Sequence, residues 1–215
     1  MTNFKKPDKL LIATGNAGKV REFAELLNDL PIEICGLKDF AETEEVAETG
    51  KSFEENAKLK AAGYAVQSKL WTLADDSGLE VEALANAPGV FSARYAGNDA
   101  SDAEKIEKLL AELKKTGDCE KKARFVCAIA VASPDGEIVC VETGICEGRI
   151  SDKPFGNNGF GYDPIFVPEN FQKTFGQLPE NIKQEISHRG RATRKIIRFL
   201  RDFFKIFLDR AVLTE

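Results

Sequence analysis

The sequence predicts an α/β fold, and three observations carry that expectation. Apolar runs of strand character alternate with stretches of helical period through the first half of the chain. A nearly continuous apolar run from Ala123 to Ala132 is followed by a turn and a returning segment, which reads as a long antiparallel hairpin. The chain then closes on a helix with Ala192, Ile196, Leu200, Phe203 and Phe207 on one face. With 215 residues there is length for one large or two small domains with a real core. No repeat or low-complexity linker divides it, so one compact domain with two lobes is the simplest organisation.

A hydrophobic share of 43% against 30% charged residues marks a globular chain rather than a disordered one. The net charge of −5 argues against a general nucleic-acid binder. A polyanionic ligand would need a local cluster of Lys and Arg. The first residues, Met1 to Pro7, lack a signal-peptide apolar core, and no apolar run approaches membrane-spanning length. The expected setting is cytoplasmic, with no membrane partner. Five cysteines without a C-x-x-C pair (Cys35, Cys119, Cys127, Cys140, Cys146) read as small buried residues in a reducing compartment rather than as a zinc site.

Lys9 to Thr14 reads as a short buried strand. Gly15-Asn16-Ala17-Gly18-Lys19 then opens a helix whose apolar positions are Val20, Phe23, Ala24 and Leu27. Strand, glycine turn, lysine and helix form the layout of a phosphate site, because backbone N–H groups at a helix start and a nearby Lys both attract anions. It is not a Walker A loop: two residues separate the glycines, and Val20 takes the Ser/Thr position. Pro31 to Cys35 reads as a second strand. Asp39 to Glu48 is acidic, with few apolar anchors, and most of its acids read as a solvated, mobile loop.

Ser52-Phe53-Glu54-Glu55 has the form of a capping box. The helix it starts carries an apolar face of Phe53, Ala57, Ala61 and Tyr64. Lys60 falls near the centre of that stripe at about 100° per residue. A lysine there either snorkels outward or meets a charge, a carboxylate or a phosphate.

The next stretch, Leu70 to Gly78, is the one the others gather around. An apolar strand run ends in Asp75 and Asp76, then Ser77 and Gly78. Alternation along a strand sends the two carboxylates to opposite faces. Carboxylates at the carboxyl end of a buried strand sit where open α/β sheets bind ligands, and they are the hard-oxygen ligands Mg²⁺ prefers. Alone, the same residues also fit an Asx-turn closing a strand.

Leu79 to Leu84 continues to the Pro88-Gly89 turn, with Arg94 beyond it as an anion contact or a surface ion pair. Ser101-Asp102-Ala103-Glu104 is a second capping box, opening a helix with Ala103, Ile106, Leu109, Leu110 and Leu113 and closing at Gly117. The hairpin follows, Ala123–Ala132 and Glu137–Arg149 around Ser133-Pro134-Asp135-Gly136. Pro154 to Pro164 then packs glycines, asparagines and aromatics into one loop. Its rings either stack on a planar ligand such as a nucleobase or fill the core. Lys183 to Gly190 leads into the last helix. Ser187 is its expected N-cap, and the single histidine, His188, sits beside Arg189 at a dipole end that favours electron-rich groups.

Taken in order, these stretches resemble the inosine triphosphate pyrophosphatase family, the non-canonical purine NTP pyrophosphatases acting on dITP and XTP. The matching segments are Thr14–Lys19, Glu48–Gly50, Phe53–Ala61, Ala74–Leu79, Phe91–Tyr95, Gly159–Pro164 and Ile186–Gly190. They run from about Leu10 to Leu200 with no departure at a motif position; the tail after Leu200 lies outside the likeness. The resemblance implies a single pyrophosphatase domain over 1–215, with a mixed central sheet, flanking helices and two lobes around a nucleotide-binding cleft. It implies Mg²⁺-dependent hydrolysis of dITP, ITP and XTP to the monophosphate and pyrophosphate, by a homodimer that clears deaminated purines.

By the same likeness, Glu48 and Asp76 would hold Mg²⁺, and Asp76 would act as base or position the water, with Asp75 in support. Thr14, Gly15, Asn16, Ala17, Gly18 and Lys19 would cradle the phosphates, joined by Lys60, and Ser77 would touch the substrate. Phe160 would stack on the base, with Gly161, Tyr162 and Asp163 shaping the pocket and Lys183, His188 and Arg189 as donors. Three rivals stand beside this reading: a pyrophosphatase of similar fold for modified pyrimidines, a non-catalytic nucleotide sensor, and a nucleic-acid binder. The presence of Glu48, Asp76, Lys19 and Lys60 counts against the sensor.

Overall fold

The computed structural model describes residues 8–28, 30, 32–40 and 43–212, with the backbone alone for 204–212. Pro31, the side chain of Phe207, and the ends of the chain therefore lie outside the described residues. The elements are β1 (Lys9–Ile12), α1 (Ala17–Leu27), β2 (Glu33–Gly36), α2 (Phe53–Ser68), β3 (Trp71–Val81), α3 (Asp102–Thr116), β4 (Lys122–Ala132), β5 (Ile138–Ile150), β6 (Phe166–Pro168), α4 (Glu180–Ile186) and α5 (His188–Val212). The six strands are hydrogen-bonded in the order β2-β1-β3-β4-β5-β6. β1 runs parallel to β2 and β3, whereas β5 and β6 are antiparallel, so the sheet is mixed. The α/β expectation holds.

Two compact units divide the chain. One contains residues 1–76, 128–142 and 192–215; the other contains 77–127 and 143–191. In the first, Leu10, Leu11 and Ile12 of β1 and Leu73 of β3 are buried, together with Phe23 and Leu27 of α1 and Ala57 and Ala61 of α2. Ala192, Ile196 and Leu200 of α5 are buried as their spacing predicts, and Phe203 meets Trp71 edge-on with ring centroids 5.0 Å apart. In the second, Leu79 and Val81 join Ile106, Leu109 and Leu113 of α3 and the rings of Phe125, Phe166 and Phe175. Ala103, expected on that face of α3, is exposed.

The strand does not stop at the carboxylates. β3 runs through Asp75, Asp76, Ser77 and Gly78 to Val81. It is β1 that ends: the last β1–β3 pair is Ile12 with Leu73, and the Ala13 amide donates to the Leu73 carbonyl at 2.8 Å. Asp75 and Asp76 therefore follow the carboxyl end of a neighbouring strand rather than of their own. Ser77-Gly78 reads locally as a turn, but β4 is beside it in the sheet and Leu79 and Val81 resume the buried pattern.

Two local expectations change in detail. At the start of α2, Ser52 Oγ accepts from the Glu55 amide at 3.2 Å, but the Glu55 carboxylate accepts from the Lys51 amide, not from Ser52. The full reciprocal box forms at Ser101 and Glu104 instead. The acidic stretch before α2 is also pinned rather than loose where it is described. The Glu44 amide donates to Gln67, the Val46 amide to the Tyr64 hydroxyl, and Glu48 pairs with Lys60. Glu44 and Glu45 remain exposed, as expected.

Phe166 is fully buried, with its ring centroid 4.6 Å from Phe125 and 5.3 Å from Phe175. Phe166→Ala should therefore destabilise by about 3–5 kcal/mol, read from urea unfolding; a loss below about 1 kcal/mol would contradict this packing.

Candidate active site

The first unit gathers one group of the expected residues. Asn16 caps α1: its Oδ1 accepts from the Gly18 amide at 2.9 Å and the Lys19 amide at 3.1 Å. Thr14 Oγ1 accepts from the Asn16 amide at 3.2 Å. These amides, part of the expected phosphate cradle, are thus engaged by the turn itself. The cap fixes the first turn of α1 and with it Lys19, whose Nζ lies 2.8 Å from Asp75 Oδ2. The Asp75 side chain is fully buried, and the paired ammonium compensates a burial that would otherwise be costly.

Asp76 meets a different helix. Lys60 Nζ donates to Glu48 Oε1 at 2.5 Å and lies 3.7 Å from Asp76 Oδ1, while Asn56 Nδ2 donates to Asp76 Oδ2 at 3.0 Å. The lysine on the apolar stripe of α2 has its charge partners. Burial draws the Lys60 ammonium down, but the carboxylates of Asp75, Asp76 and Glu48 outweigh it and hold the group above the ordinary lysine value. Burial lifts Asp76 above the usual carboxylate range, against the opposing pull of Lys60 and the Asn56 hydrogen bond.

Glu48 and Asp76 share one cation, and that cation is an ammonium. The donor set suits Mg²⁺, which binds through one or two carboxylates and fills its remaining positions with water and phosphate oxygens. Among the described residues, no group of three or more Asp, Glu, His or Cys forms a closed metal cage.

The second unit gathers the rest around Asp163. Its Oδ2 accepts from Lys183 Nζ at 2.7 Å and from the Phe160 amide at 2.8 Å. Gly159 has φ +76°, and a Cβ there would fall 2.0 Å from the same oxygen, so glycine is required. The Phe160 ring lies within cation–π range of two groups: Lys183 Nζ is 4.8 Å and Arg189 Cζ 5.5 Å from its centroid. Arg189 Nη2 donates to Ser77 Oγ at 2.8 Å. His188 stacks on Phe125, with centroids 4.6 Å apart and planes 11° from parallel. Ser187 caps this turn as expected, accepting from the Gly190 amide at 3.1 Å.

Not every expected residue faces this group. Tyr162 is buried in the core, and its hydroxyl donates to the Ser92 carbonyl at 3.0 Å. The Gly161 amide donates to Asp102 at the start of α3. Arg94 lies over the exposed Phe91 ring at 5.1 Å. Asn56, which sequence reasoning did not single out as a site residue, is fully buried against Asp76. Its signal was available: an asparagine on the same stripe as Phe53, Ala57 and Lys60.

The Ham1 family model matches residues 10–199. The chain belongs to the Ham1 family. A relative from Bacillus cereus (strain ZK / E33L) named dITP/XTP pyrophosphatase is 47% identical over 205 residues, covering 95% of this chain and 98% of its own. One of the same name from Bacillus anthracis is 48% identical over 197 residues, covering 91% and 98%. The solved structure of a HAM1 protein from Coxiella burnetii matches with a TM-score of 0.83 at 42% identity, over 90% of this chain and 98% of that one. The Staphylococcus aureus Ham1 protein gives 0.80 and 43%, with the same coverage. The resemblance read from the ordered motifs is borne out, and the α/β fold is the Ham1 fold.

For this Ham1 chain the Lys183–Asp163 pair has a structural duty as well, since both side chains are buried. Lys183→Met strands the Asp163 carboxylate and should cost about 3–5 kcal/mol in denaturant unfolding. Removing both charges together should cost less than the sum of the single changes; strict additivity would mean the pair contributes nothing jointly.

Proposed function

We propose that this chain is a nucleoside triphosphate pyrophosphatase acting on non-canonical purine nucleotides (dITP, ITP and XTP) and releasing the monophosphate and pyrophosphate. The observation that carries the reading is the pair of carboxylates, Glu48 and Asp76, sharing the buried Lys60 ammonium beside the Lys19–Asp75 pair. Such a cluster has hard oxygens for a divalent ion and cations for phosphates. The aromatic and cationic group of Phe160, Lys183 and Arg189 supports purine binding, as do the names of the Ham1 relatives.

In this reading Glu48 and Asp76 would hold Mg²⁺, with Lys60 standing in their field as the resident cation until substrate arrives. Held there, the ion would supply positive charge against the phosphates and a more acidic water. Lys60 then turns from the carboxylates to a phosphate oxygen, and Lys19, still held by Asp75, adds its charge beside the phosphates. The Asn16 cap yields its amides to phosphate oxygens. Asp76 orients the attacking water and takes its proton, while Asp75 holds Lys19. This division between positioning and electrostatics is usual for phosphoryl-transfer chemistry. The setting we propose is a cytoplasmic homodimer; among the described residues no helix is long and apolar enough to cross a membrane.

At the base, Phe160 offers a stacking face, and Lys183, His188 and Arg189 offer donors. Hypoxanthine and xanthine present a 6-oxo acceptor where adenine presents a 6-amino donor. A donor facing a donor leaves buried groups unpaired, a mismatch that supports discrimination of about 10⁴. Asp163 orients the Lys183 ammonium for this role.

Pyrophosphate release from ITP, XTP, GTP and ATP, each with Mg²⁺ and with EDTA, tests the reaction. Metal-dependent turnover of ITP and XTP with little from ATP is expected, while GTP, which shares the 6-oxo group, reads any selection made at C2; tight nucleotide binding without turnover would replace the enzyme reading with a sensor. Asp76→Asn should lower kcat by about 10²–10⁴ with the fold intact, and wild-type turnover would remove Asp76 from the mechanism. Lys183→Ala and Arg189→Ala should both erode the preference for ITP over ATP. Full preference in both would overturn this account of the base contacts.

A further inference from the structure

We infer that Asn56 is a positioning residue whose one carboxamide sets Asp76 and the Glu48–Gly50 segment in register with each other. The inference rests on the reading of Glu48 and Asp76 as the metal carboxylates. Asn56 lies on the first turns of α2 and is fully buried. Its Nδ2 donates to Asp76 Oδ2 at 3.0 Å, and its Oδ1 accepts from the Gly50 amide at 2.8 Å. Gly50 follows Glu48 by two residues. The orientation of the carboxamide is fixed by chemistry. A backbone N–H can only donate and a carboxylate can only accept, so a flipped amide would face both partners with the wrong end.

The approach at Gly50 is as tight as it can be. A Cβ there would lie 2.6 Å from Glu55 Cβ, 2.7 Å from Asn56 Oδ1 and 2.9 Å from the Asn56 amide nitrogen. The segment is further tied to α2 by the Lys51 amide donating to Glu55 Oε2 at 2.6 Å. The helix start is itself fixed by the Ser52 cap. Glu48 and Asp76 come from distant parts of the chain, and Asn56 touches the main chain beside one and the carboxylate of the other. Its size and its two unlike ends set how the two carboxylates face a shared cation. A hydrophobic residue of the same shape would serve neither end.

Mn²⁺ binding followed by EPR on the nucleotide-free protein reads this directly, and the Mg²⁺ midpoint for pyrophosphate release gives the parallel kinetic value. Asn56→Ala and Gly50→Ala, each confirmed as folded by circular dichroism, should weaken metal binding about ten- to a hundredfold, the range for residues that orient metal ligands. Turnover at saturating Mg²⁺ should recover most of its wild-type value, because the groups that touch substrate remain. A residue with only a structural role would lower the unfolding midpoint and leave the metal midpoint in place. Should Asn56→Ala fail to fold, Gly50→Ala, which removes no side chain, carries the same expectation. Metal affinity within about twofold of wild type in a folded variant overturns the inference. Glu48→Gln and Asp76→Asn serve as controls: if both bind Mn²⁺ as the wild type does, it is the metal reading that falls, not the role of Asn56 alone.

Discussion

Two carboxylates side by side in a buried strand are the constraint to which the first unit is built. Asp75 and Asp76 are removed from water in the middle of β3. Uncompensated, each would cost several kcal/mol. Each has drawn a lysine from a different helix, Lys19 from α1 and Lys60 from α2. The fold around them serves those pairings. The Asn16 cap fixes the turn that presents Lys19. Phe53, Ala57 and Ala61 bury one face of α2 and thereby carry Lys60 inward. The segment leading to Gly50 lies against the same helix and brings Glu48 to the same ammonium. In the function proposed above, these are the charges that a metal ion and phosphates would replace.

The second unit solves a similar problem with one carboxylate. Asp163 is buried and takes both a lysine and a backbone amide. That choice positions Phe160 and Lys183 together, since the amide belongs to one and the ammonium to the other. Gly159 is the residue that lets the loop close on it. Arg189 reaches the same ring from the start of α5 while donating to Ser77. Ser77 is bonded along the chain to Asp76, so a single strand carries residues of both groups.

Much of this was legible in the sequence because it is written in local patterns. The stripe on α2, the out-of-place Lys60 and the ordered motifs each stood out by spacing or by residue type. What the sequence did not disclose depends on neighbours in space. Ser77-Gly78 looks like a turn, yet β3 runs straight through it with β4 next in the sheet. Glu55 looks like the partner of Ser52, but the chain enters α2 so that the Lys51 amide is the nearer donor. The rings of the Pro154–Pro164 loop read equally as ligand contacts or as core, and only the fold puts Tyr162 in the core, its hydroxyl donating to the Ser92 carbonyl. Asn56 was hidden by the opposite effect: a small polar residue draws little notice until both ends of its amide are seen to be used.

The most direct test of this account is a structure of the protein with Mg²⁺ and a non-hydrolysable ITP analogue. The account predicts the metal between Glu48 and Asp76, Lys60 withdrawn from Glu48 onto a phosphate oxygen, and the hypoxanthine ring on Phe160. A structure in which Lys60 keeps its bond to Glu48 while metal and phosphates bind elsewhere would contradict it.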